Sequence, residues 1–526
     1  MSPGFDAIVI GSGFGGAITA CRVAEKGMKV LVLERGRRWA ARDYPRGTRD
    51  AWLFNGERPA VQNGWLDLRF FPNMTVAQAA GVGGGSLAYS SVLLEAHPSL
   101  FTDGWPGEIT YDDLKPWYDR VTRMMDLQVV PDGQLTQRFK LTREAAAKTG
   151  EERHFSKTPL AVSFSPDWSY DLADPFDRRH SRTFTNAHGQ QQGTCIHLGN
   201  CDIGCDVRAK NTLDLNYLAR AEQLGAEVRP LHLVRRIEPQ ANGYRVVFDR
   251  IEKGRLARGD DTAAHVFVAA GSLGSTELLL RCRDEQRTLP ALSRTLGHNW
   301  SANANVLSMA TYADAGRVQQ TLGPTISGIV DFMDKRANGQ QFVVEDDGFP
   351  NVLLNALRAC VDNGPRSDVG RALLRQLEEH VRGDERSRNL MVWLGSGVDA
   401  ADGQLTLKRP VLAPWRRTLD LRWKPERSRS VVEAILTVHR KMTEATGAQL
   451  RPSVAWNLFR NLVTLHPLGG CKMGVSAATG VVNHLGEVFG YPHLYVVDGA
   501  IVPGSIGRNP SHTIAALAER IAAHVR

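Results

Sequence analysis

Glycine residues near the N-terminus have a spacing that can bind a dinucleotide. Gly11, Gly13 and Gly16 form a GxGxxG motif, which follows an apolar strand at Ala7–Ile10 and precedes a predicted helix at Ala17–Lys26. These glycines permit a tight turn, close approach of the backbone to a pyrophosphate, and close packing of helix on strand. The motif predicts a dinucleotide cofactor and does not distinguish FAD from NAD. The alternative is a glycine turn in an α/β domain without a ligand.

An acidic residue completes the unit. The apolar stretch Lys29–Leu33 ends in Glu34, which is placed to accept hydrogen bonds from ribose hydroxyls. Its carboxylate disfavours NADP, because it would face a phosphate. Phe14, Gly15 and Arg35 belong to the same unit and are predicted cofactor contacts.

A second glycine cluster occupies GVGGGS, in which Gly83, Gly84, Gly85 and Ser86 are predicted cofactor contacts. Such a run allows positive φ, and its amides can face an anion or a flat ring. A flexible linker is the alternative, and the small apolar residues on both sides favour a packed position.

Two further segments are predicted to join the same sheet. The stretch Ala263–Arg281 reads as strand, glycine turn and helix, so Ala270 and Gly271 are predicted contacts. Upstream, a helix is predicted at Asn211–Gly225 and a strand at Glu227–Arg236, where Val234 would pass beside an adenine.

Segments near the C-terminus contain residues suited to acid–base chemistry. The unperturbed pKa of a histidine such as His466 suits removal of a hydroxyl proton at neutral pH. The Asn509 amide can donate a hydrogen bond to a substrate oxygen, and Pro510 suits the first turn of the helix predicted at Thr513–Ile521. A structural histidine and a plain helix cap are the alternatives.

These C-terminal segments resemble the glucose–methanol–choline (GMC) family of flavin oxidoreductases, in particular its bacterial cholesterol-oxidase branch. The resemblance rests on HPLGG, GYPHLYVVDG, PGSIG, and NP followed by TI and ALAER. The resemblance extends to the N-terminal glycine unit, to the GVGGGS cluster and to the segment LGHNWSANANVL around Asn305. Residues Gln319–Trp456 match the family poorly. It implies FAD, with His466 and Asn509 near flavin N5, His466 as general base, and Asp498, Gly499 and Pro510 among the flavin contacts.

The resemblance also implies an α/β fold with two domains. A discontinuous Rossmann-like FAD-binding domain is predicted at 1–95, 190–310 and 461–526. An α+β substrate domain at 96–189 and 311–460 is predicted to build an antiparallel sheet over the flavin. Its strands are predicted at Asn389–Ser396, Gln404–Leu407 and Thr418–Trp423, and the charged stretch Asp368–Arg388 is a candidate lid.

The predicted reaction is oxidation of an alcohol, secondary and bulky or sterol-like, by hydride transfer to FAD, with oxygen or another electron acceptor. The alternatives are a dehydrogenase for a sugar or another non-sterol alcohol with a quinone-like acceptor, a lyase without redox turnover, and a flavin-binding protein. In cholesterol oxidases a glutamate supports isomerisation. Its position falls at Leu353 or Leu354, and Glu345, Asp346 and Asp347 are unmatched, so isomerisation is not predicted. Without histidine or cysteine near the second glycine cluster, non-covalent FAD is expected.

Three cysteines lie close together in sequence, at Cys195, Cys201 and Cys205. Some sugar dehydrogenases of this superfamily hold an iron–sulfur cluster at a comparable place, with an additional cysteine where this chain has Ile196. A cluster or zinc with His197 as fourth ligand is the alternative to a loop of buried thiols, and the loop is favoured, with no metal.

Composition limits the remaining classes. The net charge of +8 is spread over 526 residues without a basic run, so nucleic-acid binding is not predicted. No stretch is long and apolar enough to span a membrane. Seven cysteines and the absence of a leader pattern favour a cytoplasmic protein.

Overall fold

The computed structural model describes residues 4–102, 104–314, 316–348, 368, 371, 389–410, 415–452 and 462–525. Strands and helices are numbered in chain order. The helices are α1 (Phe14–Glu25), α2 (Tyr111–Met124), α3 (Gln137–Lys148), α4 (Tyr217–Gln223), α5 (Gly271–Leu280), α6 (Arg429–Ala445) and α7 (Ser511–His524). Leu353, Leu354 and nearly all of the candidate lid lie outside the described residues.

A seven-stranded sheet forms the nucleotide-binding layer. It contains β1 (Phe5–Ile10), β2 (Val30–Leu33), β9 (Glu227–Arg229), β10 (His232–Gln240), β11 (Gly243–Glu252), β12 (Arg255–Val268) and β21 (Leu494–Val496). The strands β9, β2, β1, β12 and β21 run parallel, whereas β10, β11 and the first part of β12 form an antiparallel meander. Their apolar residues are buried because helices cover the parallel part, as in a Rossmann-like fold.

A six-stranded antiparallel sheet forms the second layer. It contains β6 (Phe155–Lys157), β13 (Val306–Thr311), β14 (Gly328–Asp331), β15 (Phe342–Asp347), β16 (Leu390–Gly397) and β19 (Gln449–Pro452), in the order β19-β13-β16-β15-β14-β6. Helices α3 and α6 contact one of its faces. The α/β class with an antiparallel second sheet is therefore confirmed.

Three small sheets complete the fold. One contains β3 (Leu53–Phe54), β4 (Leu66–Phe71), β5 (Met74–Ala79) and β20 (Leu462–Thr464); the others pair β7 (Phe184–Thr185) with β8 (Gln191–Gln192) and β17 (Gln404–Lys408) with β18 (Thr418–Arg422). The strands predicted at 404–407 and 418–423 are present, but β17 and β18 pair only with each other within the described residues. They lie outside the six-stranded sheet, and β17 packs on α5.

Two predicted elements have different bounds in the structure. The helix predicted at Asn211–Gly225 is limited to α4, because Leu213–Leu215 forms a 3-10 turn and Asn216 caps α4 with its side chain. The strand predicted at Glu227–Arg236 is divided into β9 and β10. The break falls at Pro230 and Leu231, where proline lacks an N–H and Leu231 has a φ of 59°.

A buried ion pair joins the two ends of the chain. Arg22 on α1 donates to both carboxylate oxygens of Glu519 on α7 at 2.8 and 2.7 Å, and Tyr217 donates to the same carboxylate. Replacing Glu519 with leucine should lower the free energy of unfolding by about 3–5 kcal/mol, because Arg22 would lose the buried carboxylate that accepts two of its hydrogen bonds. Urea unfolding would measure this. The control Glu25→Gln alters the outer partner of Arg22 and should cost less than about 1 kcal/mol; equal losses would contradict the argument.

Candidate functional site

A cavity of about 710 Å³ lies between the nucleotide-binding layer and the six-stranded sheet. Its volume is within the range of ligand pockets. Most of the predicted site residues line it, which brings together segments from both ends of the chain. They are Gly11, Gly13, Phe14, Gly15, Glu34, Arg35, Gly84, Gly85, Val234, Ala270, Gly271, His466, Asp498, Gly499, Asn509 and Pro510.

Three predicted contact residues, Gly16, Gly83 and Ser86, are not among the residues that line the cavity. A Cβ at Gly16 would lie 2.0 Å from the carbonyl oxygen of Gly11, so this glycine allows the helix to close against the strand. Gly83 has a φ of 109° and begins the turn of the second glycine cluster. The Ser86 hydroxyl donates to the Gly83 carbonyl and accepts from the Leu213 amide, which fixes this turn.

The two glycine clusters meet at the N-terminus of α1. A Cβ at Gly84 would lie 2.4 Å from the Cα of Gly13, whereas a Cβ at Gly85 would meet nothing within 4 Å. The first turn of α1 contains no acidic residue, so the positive end of its dipole stays available to an anion. This backbone cradle fits a pyrophosphate.

Glu34 organises the nucleotide end of the cavity. One carboxylate oxygen accepts from the Ser12 amide and hydroxyl at 3.1 and 2.7 Å, and the other accepts from the Gly36 amide at 2.8 Å. The side chain is buried and lines the cavity. Glu34 therefore holds the two loops beside the first glycine motif, and its remaining acceptor capacity suits ribose hydroxyls.

Asp498 links two loops at the middle of the cavity. Its carboxylate accepts from the Gly271 amide at 2.8 Å, the Ser275 hydroxyl at 2.5 Å and the Ala500 amide at 2.8 Å. Burial raises the pKa of this carboxyl, and the three donors oppose that rise. With its acceptors occupied by the protein, Asp498 positions the backbone that faces the cavity.

The imidazole of His466 is held by Asn305 at the other end of the cavity. The Asn305 oxygen accepts from the Thr464 hydroxyl at 2.9 Å and the Leu465 amide at 3.3 Å, so its amide nitrogen donates to His466 Nδ1 at 3.0 Å. Burial lowers the pKa of His466 to about 4, so the ring is neutral at neutral pH. Because Nδ1 accepts, the proton of the neutral ring lies on Nε2.

This tautomer bears on the predicted role of His466. A general base at Nε2 would need an unprotonated nitrogen, whereas the neutral ring presents an N–H there. The contacts of Asn305 favour His466 as a hydrogen-bond donor instead. The sequence offered no signal for this, because Asn305 is distant in the chain.

A carboxyl group that the sequence analysis left unmatched lies beside Asn509. Glu345, fully buried on β15, accepts from the Asn509 amide nitrogen at 3.4 Å. The other Glu345 oxygen, Oε1, and the Asn509 oxygen Oδ1 are both buried without a hydrogen-bond partner among the described residues. Burial raises the pKa of Glu345 to about 8. Unpartnered polar atoms of this kind are costly, and they indicate a site for a polar ligand group.

Cys195, Cys201 and Cys205 are not among the described residues that line the cavity. His197, the fourth metal ligand considered, stacks on Trp168 at 4.1 Å, and its ring nitrogens lie 2.9 Å from the Tyr170 hydroxyl and 3.3 Å from the Gln134 side-chain oxygen. Burial raises the pKa of the Cys195 thiol, which disfavours the thiolate form that metals bind. The described residues contain no cluster of three or more His, Cys, Asp or Glu side chains arranged to hold a metal.

Among the described residues, none of the helices combines the length and apolar character needed to cross a membrane.

Comparisons with known proteins agree with this arrangement. Residues 399–518 match the family model of the GMC oxidoreductases, and residues 9–51 match that of the NAD(P)-binding Rossmann-like domain. The chain is 32% identical to a cholesterol oxidase from Mycobacterium tuberculosis, with 99% of this chain and 91% of that protein covered. A cholesterol oxidase from Acinetobacter baumannii is 28% identical, at 99% and 94% coverage. Pyridoxine 4-oxidase from Mesorbium loti has a similar fold, with a TM-score of 0.62, 18% identity and 98% of each chain covered.

Proposed function

Because this chain belongs to the GMC oxidoreductase family and is an FAD-dependent oxidoreductase acting on CH–OH groups, we propose that it oxidises a bulky secondary alcohol to a ketone. The observation that carries the proposal is that His466 and Asn509 line the same cavity as the dinucleotide cradle, with the buried carboxyl group of Glu345 in contact with Asn509. The cholesterol oxidases among its relatives favour a substrate of sterol-like size.

The cofactor end is assigned to non-covalent FAD. The backbone of Gly13, Gly84 and Gly85 would hold the pyrophosphate at the N-terminus of α1, and Glu34 would bind the ribose. When bound, FAD supplies the hydride acceptor that no side chain offers. We propose an FAD-binding domain made of residues 1–95, 190–310 and 461–526. The substrate domain would consist of residues 96–189 and 311–460. The proposed location is the cytoplasm.

His466 and Asn509 are proposed to hold the reacting oxygen. The His466 Nε2–H would donate to it, and Asn305 keeps the ring in that tautomer. Asn509 presents its amide to the same end of the cavity. Donors of this kind stabilise the negative charge that develops on the oxygen when its proton leaves.

Glu345 is proposed to accept the hydroxyl proton. Its Oε1 has no hydrogen-bond partner among the described residues, and a pKa of about 8 gives this carboxyl group the basicity of an effective general base once ionised. The same carboxyl favours a second candidate activity, in which oxidation of an unsaturated alcohol is followed by movement of a proton between carbons. The buried carboxyl group of Glu345 beside Asn509 therefore favours isomerisation as a second activity, which the sequence did not predict.

A substrate screen tests the proposed function. Purified holoprotein would be mixed anaerobically with sterols, aliphatic and aromatic alcohols, and sugars, while the flavin absorbance is followed. Reduction by bulky secondary alcohols is expected. Reduction by sugars alone would favour the sugar dehydrogenase, and an unchanged spectrum with every alcohol would favour the lyase. Reoxidation by oxygen or by a quinone then identifies the acceptor.

Glu345 should give the reaction its pH dependence. Burial holds the pKa of Glu345 at about 8, so the carboxyl is protonated at neutral pH and becomes a base as pH rises. The rate of anaerobic flavin reduction should therefore be half-maximal near pH 8 and level off about one to two pH units higher. His466, whose pKa is about 4, adds no inflection near neutrality.

The variant Glu345→Gln should remove this pH dependence and lower the rate by ~10²–10⁴-fold. Flavin content and thermal unfolding should stay unchanged at neutral pH, since glutamine replaces a protonated carboxyl of the same shape. A wild-type rate that is independent of pH from neutral to alkaline conditions would contradict this role.

A further inference from the structure

A fully buried asparagine holds the loop that leads to Asn509. This residue, Asn303, is not among the described residues that line the cavity, so any effect on the reaction has to pass through another residue. Its side-chain amide bonds to each of the four consecutive residues that precede Asn509. The Oδ1 atom accepts from the Ser505 hydroxyl at 3.1 Å and from the amides of Ile506 and Gly507 at 3.0 and 2.8 Å, and the Nδ2 atom donates to the Arg508 carbonyl at 2.8 Å.

The loop depends on this amide group because it has no regular structure of its own. Residues 502–509 form neither helix nor strand, and Ile506 and Gly507 are buried. Buried backbone amides need an acceptor, and Asn303 provides one for both. Asn509 follows directly at the end of the loop, so the position of its side chain depends on the same hydrogen bonds.

Asn303 is itself fixed by its neighbours. Its φ is 54°, a left-handed conformation that asparagine adopts more readily than most residues. Its backbone amide donates to the Ser301 hydroxyl at 2.9 Å, and its carbonyl accepts from the Gly397 amide at 3.0 Å. The buried Asp399 carboxylate accepts from the Ser301 hydroxyl at 2.8 Å and the Ala302 amide at 2.9 Å. The side chain of Asn303 therefore projects from a turn that is held on both sides.

The same turn supports both side chains that are proposed to hold the reacting oxygen. Asn305 donates to His466, and Asn303 bonds to the loop before Asn509. We propose that Asn303 is a positioning residue for Asn509, which keeps the Asn509 amide directed at the reacting oxygen. This inference rests on the proposed function and deepens it, because it assigns a separate support to each of the two donors. Such supports matter because a misplacement of about 1 Å can lower a rate by ~10²-fold.

The variant Asn303→Gly tests the proposal, because it removes the amide group and keeps the left-handed backbone accessible. Holoprotein would be mixed anaerobically with cyclohexanol or with cholesterol in detergent micelles, a small and a bulky secondary alcohol. The rate constant of flavin reduction should fall by ~10–10²-fold. The apparent Kd of the alcohol and the flavin content should change little, because the N-terminal glycines and Glu34 are untouched. In the matched control Asn338→Gly, the residue has a φ of 53° and is exposed between β14 and β15, so the rate should stay unchanged.

Double variants distinguish positioning of Asn509 from a purely structural role. In the Asn509→Ala background, Asn303→Gly should cause almost no further loss of rate, because the amide that it positions is already absent. In the His466→Ala background it should cause its full loss, because Asn305 supports that ring. A residue that only stabilises the fold would lower the midpoint of thermal unfolding and would affect the rate equally in both backgrounds.

The outcomes separate the positioning role from the reaction. The role of Asn303 is overturned, while the alcohol oxidation stands, if Asn303→Gly reacts at the wild-type rate, if Asn509→Ala does not remove its effect, or if His466→Ala removes that effect as well. Asn303→Asp keeps the acceptor for the two loop amides and loses the donor to the Arg508 carbonyl, so its loss should be smaller. It replaces Asn303→Gly in the same double variants if the glycine variant does not fold. A wild-type flavin that neither alcohol reduces would overturn the proposed function itself.

Discussion

Replacing His466 with alanine should lower the rate of anaerobic flavin reduction by ~10²–10³-fold, the loss expected for one donor to a developing oxyanion. The variant should keep its FAD, because the nucleotide cradle is built from the N-terminal glycines and Glu34 at the other end of the cavity. Stopped-flow absorbance at saturating alcohol measures the rate, and the visible spectrum of the purified protein measures flavin content.

A histidine outside the cavity provides the matched control. The His298 ring nitrogen lies 2.9 Å from the Gln404 side-chain nitrogen, and His298 is not among the described residues that line the cavity, so His298→Ala should leave the rate unchanged. Asn305→Leu should reproduce part of the His466→Ala effect, because the imidazole would lose the donor that fixes its tautomer. Full activity of His466→Ala would remove this histidine from the mechanism.

Replacing Gly84 with alanine should destabilise the apoprotein and abolish flavin binding. Gly84 has a φ of 53°, a conformation that costs an L-residue about 1–2 kcal/mol. In addition, the new Cβ would lie 2.4 Å from the Cα of Gly13, so the two glycine clusters would have to separate. The midpoint of thermal unfolding without FAD and the flavin content after purification would report the two effects.

The neighbouring glycine separates the backbone clash from a general intolerance of this loop. Gly85 has no positive φ, and a Cβ there meets no atom within 4 Å. Gly85→Ala should therefore unfold at the wild-type temperature as apoprotein, whatever its effect on flavin affinity. If Gly84→Ala and Gly85→Ala were equally stable, the close approach of the two clusters would not matter as described.

The parts of the site that the sequence predicted are encoded locally. GxGxxG with its strand, helix and terminal acid specifies a compact unit, so Gly11, Gly13 and Glu34 could be identified from spacing alone. The catalytic roles of His466 and Asn509 were predicted from the family resemblance, because a histidine before a glycine pair does not by itself distinguish a catalytic residue from a structural one. The structure brings both to the same cavity as the predicted nucleotide contacts.

The parts that the sequence did not predict depend on long-range pairing. Glu345 reaches Asn509 only because β15 pairs between β14 and β16 in the six-stranded sheet. The expected glutamate position at Leu353 or Leu354 instead falls outside the described residues. Likewise, the His466 tautomer follows from Asn305, which precedes β13 and is distant in sequence. Helix and strand bounds near 211–236 were missed because a side-chain cap and Pro230 interrupt otherwise regular patterns.

A single-turnover experiment shows directly whether this protein transfers a hydride from an alcohol to its flavin. The oxidised holoprotein would be mixed anaerobically with an alcohol that reduces it, and flavin bleaching and ketone formation would be quantified together. We expect one ketone to form for each flavin reduced, with both processes at the same rate and both slowed in His466→Ala. A colourless protein that takes up no FAD, or a flavin that stays oxidised with every alcohol tested, would contradict it.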